Sequence, residues 1–540
     1  MKRIVAMLLS LVLVFSLAGC GGSGEKGTVN DNKYKNRSKQ FTLCYYEGGF
    51  GSEWLQAVVQ DYMDNVNQDV YIKLKASTDN DSTRTKIAGL TGTYDLYYIE
   101  VDMFNKQNVL VELSDLMDMD VPGESGVKVK DKIGQKWVDY YTEGDKIYQM
   151  PATNFLGWHW SYNKTLLDKT LGEGNWTLPK TTEELFKIGE DLFNNNVFLT
   201  TFAGNDTTGG ANYLQYCYEV WFAQRVGLEN YNHYYNCEYK DGGKWKVAEK
   251  TPENIVQNKD AIEDTYKVAE TLCQGRNGVE FIHSKCESLS FLDAEFLLYQ
   301  GGFKGAEEYP IAFYYNTAAG EQEMLPYLKD GIIEEQDVQM MKMPVNSSII
   351  ARTPSIKDDA TLSAVIDYVD GTTTECPKGV KEADVEIVKE ARNMMAELVC
   401  REWVITKTAK NVDEIKEFLA YLTSDNAQKL AAKAANGLSV LNYGYVPTTE
   451  DMGFEVSNYT KSIQEITKDA VIVDYGKFDK PFGRFMGLSW CKDNKASGGT
   501  MSANLYTKQA VSSSEIYQST MSSYKSTWAD RVAQYKIQNK

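Results

Sequence analysis

The side chains that could do chemistry here are aromatics and carboxylates, because the usual catalytic and metal-binding residues are scarce. The 540 residues include 35 Tyr, 20 Phe and 10 Trp, but only three histidines, His159, His233 and His283. No Cys or His spacing fits a zinc site, and HExxH, GxSxG and GxxxxGK[ST] patterns are missing from the sequence. Asp79-Asn-Asp81 begins like a calcium loop, yet no Gly follows at the sixth position and no Glu at the twelfth. No metal, cofactor or catalytic residue is therefore expected, and His159 is expected to be a hydrogen-bonded structural residue. A two-carboxylate hydrolase stays open on the count of 75 acidic residues, although the chain lacks the eight-fold strand–helix rhythm of a barrel.

Charge and the N-terminal segment set the surroundings in which these side chains work. With 57 basic and 75 acidic residues the net charge is −18, which argues against a nucleic-acid partner. Lys2 and Arg3 precede an apolar stretch, Ile4 to Ala18, too short for a membrane span, so residues 1–19 read as a secretory signal. It ends in Leu17-Ala18-Gly19-Cys20, which resembles a bacterial lipobox and makes Cys20 the expected lipidation site. Cleavage there removes Lys2 and Arg3, leaving 55 basic against 75 acidic residues and a net charge of −20. Residues 20–38 are rich in Gly, Ser, Asn and Lys and read as a flexible tether. Cys217/Cys237 and Cys273/Cys286 are near enough in sequence to pair, and buried free thiols remain an equal alternative.

The elements that must position the side chains follow an α/β alternation. Phe41–Tyr46 is a short apolar strand, followed by the Gly-rich turn Glu47–Gly51 and an N-cap position at Ser52. Trp54, Val58, Tyr62 and Val66 recur every four residues, which predicts one helix stripe and makes Trp54 a core residue. Val70–Lys75 alternates as a strand, Asp81–Leu90 reads as a helix, and Tyr94–Val101 as a third strand. The β-α-β-α-β order predicts a parallel, doubly wound sheet whose ligands sit at the C-terminal strand ends. Lys146–Ala152 and Gly157–Lys164 read as two strand-like segments between lobes. Thr181-Thr-Glu-Glu184 is a capping-box pattern opening a helix through Phe193. Val412–Ala435 reads as one long helix, and Val385–Leu398 as an amphipathic helix within an insertion.

The lipobox, Tyr45-Tyr-Glu-Gly-Gly-Phe-Gly-Ser-Glu-Trp54, Tyr148–Ala152 leading to Trp160–Lys164, and Pro179–Leu185 together resemble the extracellular solute-binding proteins of bacterial ABC importers. Phe296–Gly302, Trp403–Lys407 and Ile415–Ala427 extend the resemblance, which is nearest the carbohydrate-binding branch similar to maltose- and oligosaccharide-binding proteins. The body is longer than is usual there, mainly around residues 205–260 and 357–400. The resemblance implies a two-lobed periplasmic-binding-protein-like α/β fold, each lobe a doubly wound sheet flanked by helices, joined by a hinge. The N-terminal lobe is expected from 39–152 plus about 345–440, with an insertion at about 357–400. The C-terminal lobe is expected from 153–344 plus about 441–540.

The implied partners are an oligosaccharide or other neutral solute, ABC permease subunits, and the cell membrane through lipidated Cys20, with the chain a monomer outside the cytoplasm. An adhesin or a glycoside hydrolase is the alternative. Sugar rings offer C–H faces to aromatic rings and hydroxyls to carboxylates and amides. On that chemistry the expected ligand contacts are Tyr46, Glu47 and Phe50 in the Gly-rich turn, and Asp79 and Glu100 at the next strand ends. Trp158 and Trp160 near the crossing, and Trp221, Tyr315 and Trp490 in the second lobe, complete the set. Core packing is the competing expectation for every aromatic in it, and a solvated loop position for Glu100.

Overall fold

The computed structural model describes residues 31–46, 48–77, 79–99, 106–205, 213–300, 310–441, 443–474, 480–488, 501–506 and 512–538. Cys20, Glu47, Glu100 and Trp490 lie outside the described residues. The principal strands, in chain order, are β1 (Lys39–Tyr46), β2 (Val70–Ser77), β3 (Leu96–Ile99), β4 (Met150–Asn163), β5 (Glu238–Asp241), β6 (Lys244–Val247), β7 (Phe313–Asn316), β8 (Val338–Met341), β9 (Met394–Ile405) and β10 (Val471–Asp474). The chain forms two compact units. Unit 1 is Met1–Asn154 with Val399–Val456, and unit 2 is Phe155–Leu398 with Ser457–Lys540.

In unit 1, β1 runs parallel to β2 and to β3, as the alternation predicts. The second half of β9 adds to β3 antiparallel, with Glu402 opposite Ile99 and Ile405 opposite Leu96. Apolar residues of these strands are buried, among them Leu43, Cys44, Ile72, Leu96 and Ile99. Helix Glu53–Asp61 lays Trp54, Leu55, Val58 and Val59 against them, the stripe its spacing predicts. The stripe stops at Met63: residues Tyr62–Val66 form a π-helical turn, whose wider pitch leaves Val66 42% exposed. The expected long helix over 412–435 is two helices, Val412–Leu422 and Asp425–Ala434. Ser424 separates them, its hydroxyl accepting the Ala427 N–H at 3.1 Å to start the second.

In unit 2, β4 pairs antiparallel with β7 and with β8, and the first half of β9 runs parallel to β10. Helix Thr182–Phe193 begins as its cap predicts, Thr181 Oγ1 accepting the Glu184 N–H at 3.1 Å. Helix Leu214–Val226 is buried from Leu214 through Gln224 and is the centre of this core. The last long helix, Ser513–Gln538, buries Trp528, whose Nε1 donates to the Ala248 carbonyl at 2.8 Å.

Four sequence expectations are corrected. The strand-like segments at 146–152 and 157–164 are not two crossings: Lys146–Ile147 pairs with Thr142–Glu143, and one strand, β4, runs from Met150 through Asn163. Residues 345–398 belong to unit 2, not to the N-terminal lobe. Val345 bridges to Thr181, and helices Asp359–Val369 and Glu382–Arg392 close a core of Val345, Ile349, Leu362, Ile366 and Val388 there. The amphipathic helix expected to reach Leu398 ends at Arg392, because β9 starts at Met394 and pairs with β10. Residues 441–456 stay with unit 1, where Tyr443 Oη donates to the Pro151 carbonyl at 2.6 Å. Cys217, Cys237, Cys273 and Cys286 are buried free thiols rather than disulfides, and burial pushes the Cys273 thiol up to about 12. Among the described residues no helix is long and apolar enough to cross a membrane.

Candidate functional site

Parallel strands put their C-terminal ends on one edge, and in unit 1 that edge gathers polar and aromatic groups. Tyr45 is opposite Tyr98 and Glu402 is opposite Ile99, so Tyr46 and Ile99, the last residues of β1 and β3, lie in one row with Glu402 inside β9. Arg401 precedes Glu402 and turns its guanidinium over two rings. Its Cζ lies 5.0 Å from the Tyr46 ring centre and 5.2 Å from that of Tyr98, and Nη1 donates to Tyr98 Oη at 3.2 Å. Although charged, Arg401 is only 5% exposed. Gly48 makes the space. A Cβ built there would come 1.8 Å from Arg401 Nη2, and the backbone φ of +51° suits glycine.

The guanidinium rests on a rigid base. Tyr98 packs on Trp54 and Trp403 with ring centres 5.4 and 4.9 Å away, and Trp403 Nε1 donates to Tyr443 Oη at 3.2 Å. Glu402 is buried and accepts a long hydrogen bond from Tyr141 Oη at 3.4 Å. Beside Tyr141 stand Tyr140 and Trp137, all from the helix Gln135–Tyr141, their rings in edge-to-face contact. On the Arg401 face a fork of N–H donors lies beside the half-exposed ring of Tyr46, which suits a ligand with hydroxyls and C–H faces. Glu402, next along the strand, turns to the opposite face with Tyr141.

The other expected contacts of unit 1 fall at its margin. Phe50 turns into the core and is buried, because the short helix Gly48–Phe50 points it inward. Asp79 is exposed at the N-terminus of helix Asn80–Gly89, and its Oδ1 caps the Asp81 and Ser82 N–H groups at 2.9 and 3.1 Å. Arg401 and Glu402 were missed by sequence reasoning. Their signal is two charged residues set directly before the apolar run Trp403–Ile405.

The aromatics expected to contact ligand in unit 2 lie inside its core. Trp158, Trp160, Trp221 and Tyr315 are all buried in one cluster. Trp160 meets Tyr315 at 5.8 Å and Trp221 at 6.4 Å, and Trp158 meets Tyr216 at 4.4 Å. Their polar atoms are turned inward, Tyr315 Oη donating to the Trp158 carbonyl and Trp221 Nε1 to that of Pro344, each at 3.0 Å. The cause is that β4 has a strand on each edge and the helix Leu214–Val226 packed on it. Half-buried Tyr213 stands at the margin of the cluster, 4.7 Å from Trp158.

His159 is buried but is not the hydrogen-bonded residue expected; neither ring nitrogen has a partner among the described residues. Burial, with Arg392 and Lys342 adding positive charge, pulls it down to about 3. Glu295, another residue the sequence reading missed, is fully buried and accepts from Asn316 Nδ2 at 2.7 Å. Burial, together with the Glu323 carboxyl, pushes it well above the carboxylate range. Its signal is an acidic residue within the apolar helix Phe291–Gln300. Among the described residues no group of three or more His, Cys, Asp or Glu side chains could hold a metal ion.

No protein-family model matches the chain, and no curated protein matches it in sequence. Solved structures do match. Apo RafE from Streptococcus pneumoniae is similar with a TM-score of 0.55 at 14% identity, over 91% of this chain and 98% of that one. RafE in complex with raffinose gives 0.55 at 14% identity, over 90% and 99%. The bacterial solute receptor AcbH, described with an exclusive preference for β-D-galactopyranose, gives 0.56 at 13% identity, over 91% and 99%. The chain has the α/β fold of two-lobed solute-binding proteins. At these identities the likeness is one of fold.

Proposed function

We propose that this chain is a carbohydrate receptor of an ABC importer, held outside the cell membrane by lipid on Cys20, which captures an oligosaccharide as a monomer and passes it unchanged to permease subunits. The observation that carries the reading is the strand-end pair in unit 1, the Arg401 guanidinium over the ring of Tyr46. It offers a ring and a donor fork where ligands bind in open α/β sheets. The raffinose complex of RafE and the galactopyranose preference of AcbH support the ligand class, and the lipobox before Cys20 supports the anchor.

Thermal unfolding against a panel of neutral saccharides tests it. A saccharide at a hundredfold its Kd adds about 2.7 kcal/mol to stability. If a peptide or another solute raises Tm and every saccharide fails, the carbohydrate reading is lost. Cys20→Ser tests the anchor, since the variant should leave the membrane fraction.

A further inference from the structure

A cavity of about 470 Å³ lies wholly within unit 2. Residues between Val226 and Asn258 form one side, and Arg352 with Glu390 the other.

One wall is the indole of Trp245 on β6, held by a ring stack and a hydrogen bond. Its ring stacks on His233 with centres 3.7 Å apart and planes 12° apart, and its Nε1 donates to Glu229 Oε1 at 3.3 Å. Behind it, His233 Nδ1 shares a hydrogen bond of 2.7 Å with the buried Glu238. An aromatic face fixed in this way loses little freedom when a flat ring stacks on it.

Across the cavity, Arg352 fits against Gly227, where a Cβ would come 2.7 Å from Nη1. Arg352 donates to the Gln224 carbonyl at 3.1 Å and to Glu390 at 3.4 Å, so its charge is balanced. Asn258 is 5% exposed, and its Oδ1 accepts from Asn230 Nδ2.

Lys240 is the cation of the wall that no carboxylate pairs; the one other charge there without an ion pair among the described residues is Glu229, which holds the Trp245 indole N–H. Lys240 sits directly opposite Trp245 across the β5–β6 hairpin, with Nζ 5.3 Å from the indole centre, and has no carboxylate partner among the described residues. Its hairpin neighbour Lys246 pairs with Asp241 at 2.6 Å. On a chain of net charge −18, an open ammonium beside a pre-set indole selects a ring that carries one acid group.

We propose that this cavity binds a hexuronic-acid residue of a glycan. The pyranose ring stacks on Trp245, the carboxylate meets Lys240, and the hydroxyls reach Arg352 and Glu390. The site is separate from the strand-end cluster of unit 1.

The test uses the full chain and follows the Trp245 indole N–H by NMR during titration with methyl glucuronoside, methyl glucoside or acetate. A saturable shift is expected with the glucuronoside at a Kd at least tenfold below that for the glucoside. Lys240→Gln, an exposed change that leaves Tm in place, should erase the tenfold preference, and 0.5 M NaCl should reduce it. Trp245→Ala should abolish the heat of glucuronoside binding in calorimetry. Equal affinity for the glucoside, an equal response to acetate, or unchanged preference in Lys240→Gln would each overturn the proposal. Arg401→Ala should leave this titration unaltered, so failure of the importer reading and failure of this one are told apart.

Discussion

The aromatic clusters of the two units use the same residue types and differ in what surrounds them. In unit 1, Tyr46 is the last residue of its strand, and the Arg401 guanidinium lies over its ring. In unit 2, Trp158, Trp160 and Tyr315 lie on paired strands, and the helix bearing Trp221 packs with them. Position along the strand therefore decides the role. A ring at a strand end keeps a rim toward solvent and polar neighbours, whereas a ring within a covered strand gives all its area to the core. The polar atoms show the same contrast. Arg401 brings a donor fork to the edge, while Tyr315 and Trp221 direct their hydrogen bonds inward to backbone carbonyls.

The comparison breaks first at the core. Trp160→Ala or Trp221→Ala should lower unfolding free energy by about 3–5 kcal/mol, measured by urea denaturation, while the saccharide affinity of folded protein changes less than twofold. Lost binding at undiminished stability would make these rings ligand contacts after all.

His159 gives the same core a pH signature. Its folded value of about 3 lies below the unfolded value of about 6.5, so the unfolded chain takes up a proton that the native one refuses. The neutral ring's share of stability is complete above pH 6.5 and falls by about 1.4 kcal/mol per unit as pH drops toward 3. Comparing wild type with His159→Phe in urea at pH 7, 5.5 and 4.5 should isolate that slope. Parallel curves would show that the ring is protonated in the fold.

At the strand ends the sign reverses, with binding more sensitive than stability. Arg401→Ala should cost about 2 kcal/mol of saccharide affinity, read by calorimetry, with a smaller loss in unfolding free energy. Gly48→Ala should cost about 1–2 kcal/mol of stability through its left-handed φ and the Cβ driven into Arg401. Its binding loss should track the displaced guanidinium.

Local pattern carries much of this fold. The alternation of residues 41–101 predicts the parallel strands, the four-residue stripe places Trp54 in the core, and Thr181 marks its helix start. What pattern does not carry is pairing between distant segments. The antiparallel match of β8 to β4 puts residues 345–398 in unit 2, and no local feature of those residues specifies it. The helix break at Ser424 is masked because Phe418, Leu422, Ala427 and Ala431 continue an apolar period through it. At the candidate site, Tyr46 follows from the end of an apolar strand. Arg401 does not, because a buried guanidinium depends on a glycine gap 353 positions earlier.

The placement of β9 also sets a timetable. Tyr98 on β3 meets Arg401 on β9 across a separation of 303 residues. At about 5–20 residues per second, the edge of β3 that β9 will cover waits on the order of tens of seconds during synthesis. Until residues 399–456 emerge, unit 1 is a sheet with a missing side, while most of unit 2 has already been made. The first unit to begin is thus the one that cannot finish early, and its uncovered strand is where a holding chaperone would find the nascent chain.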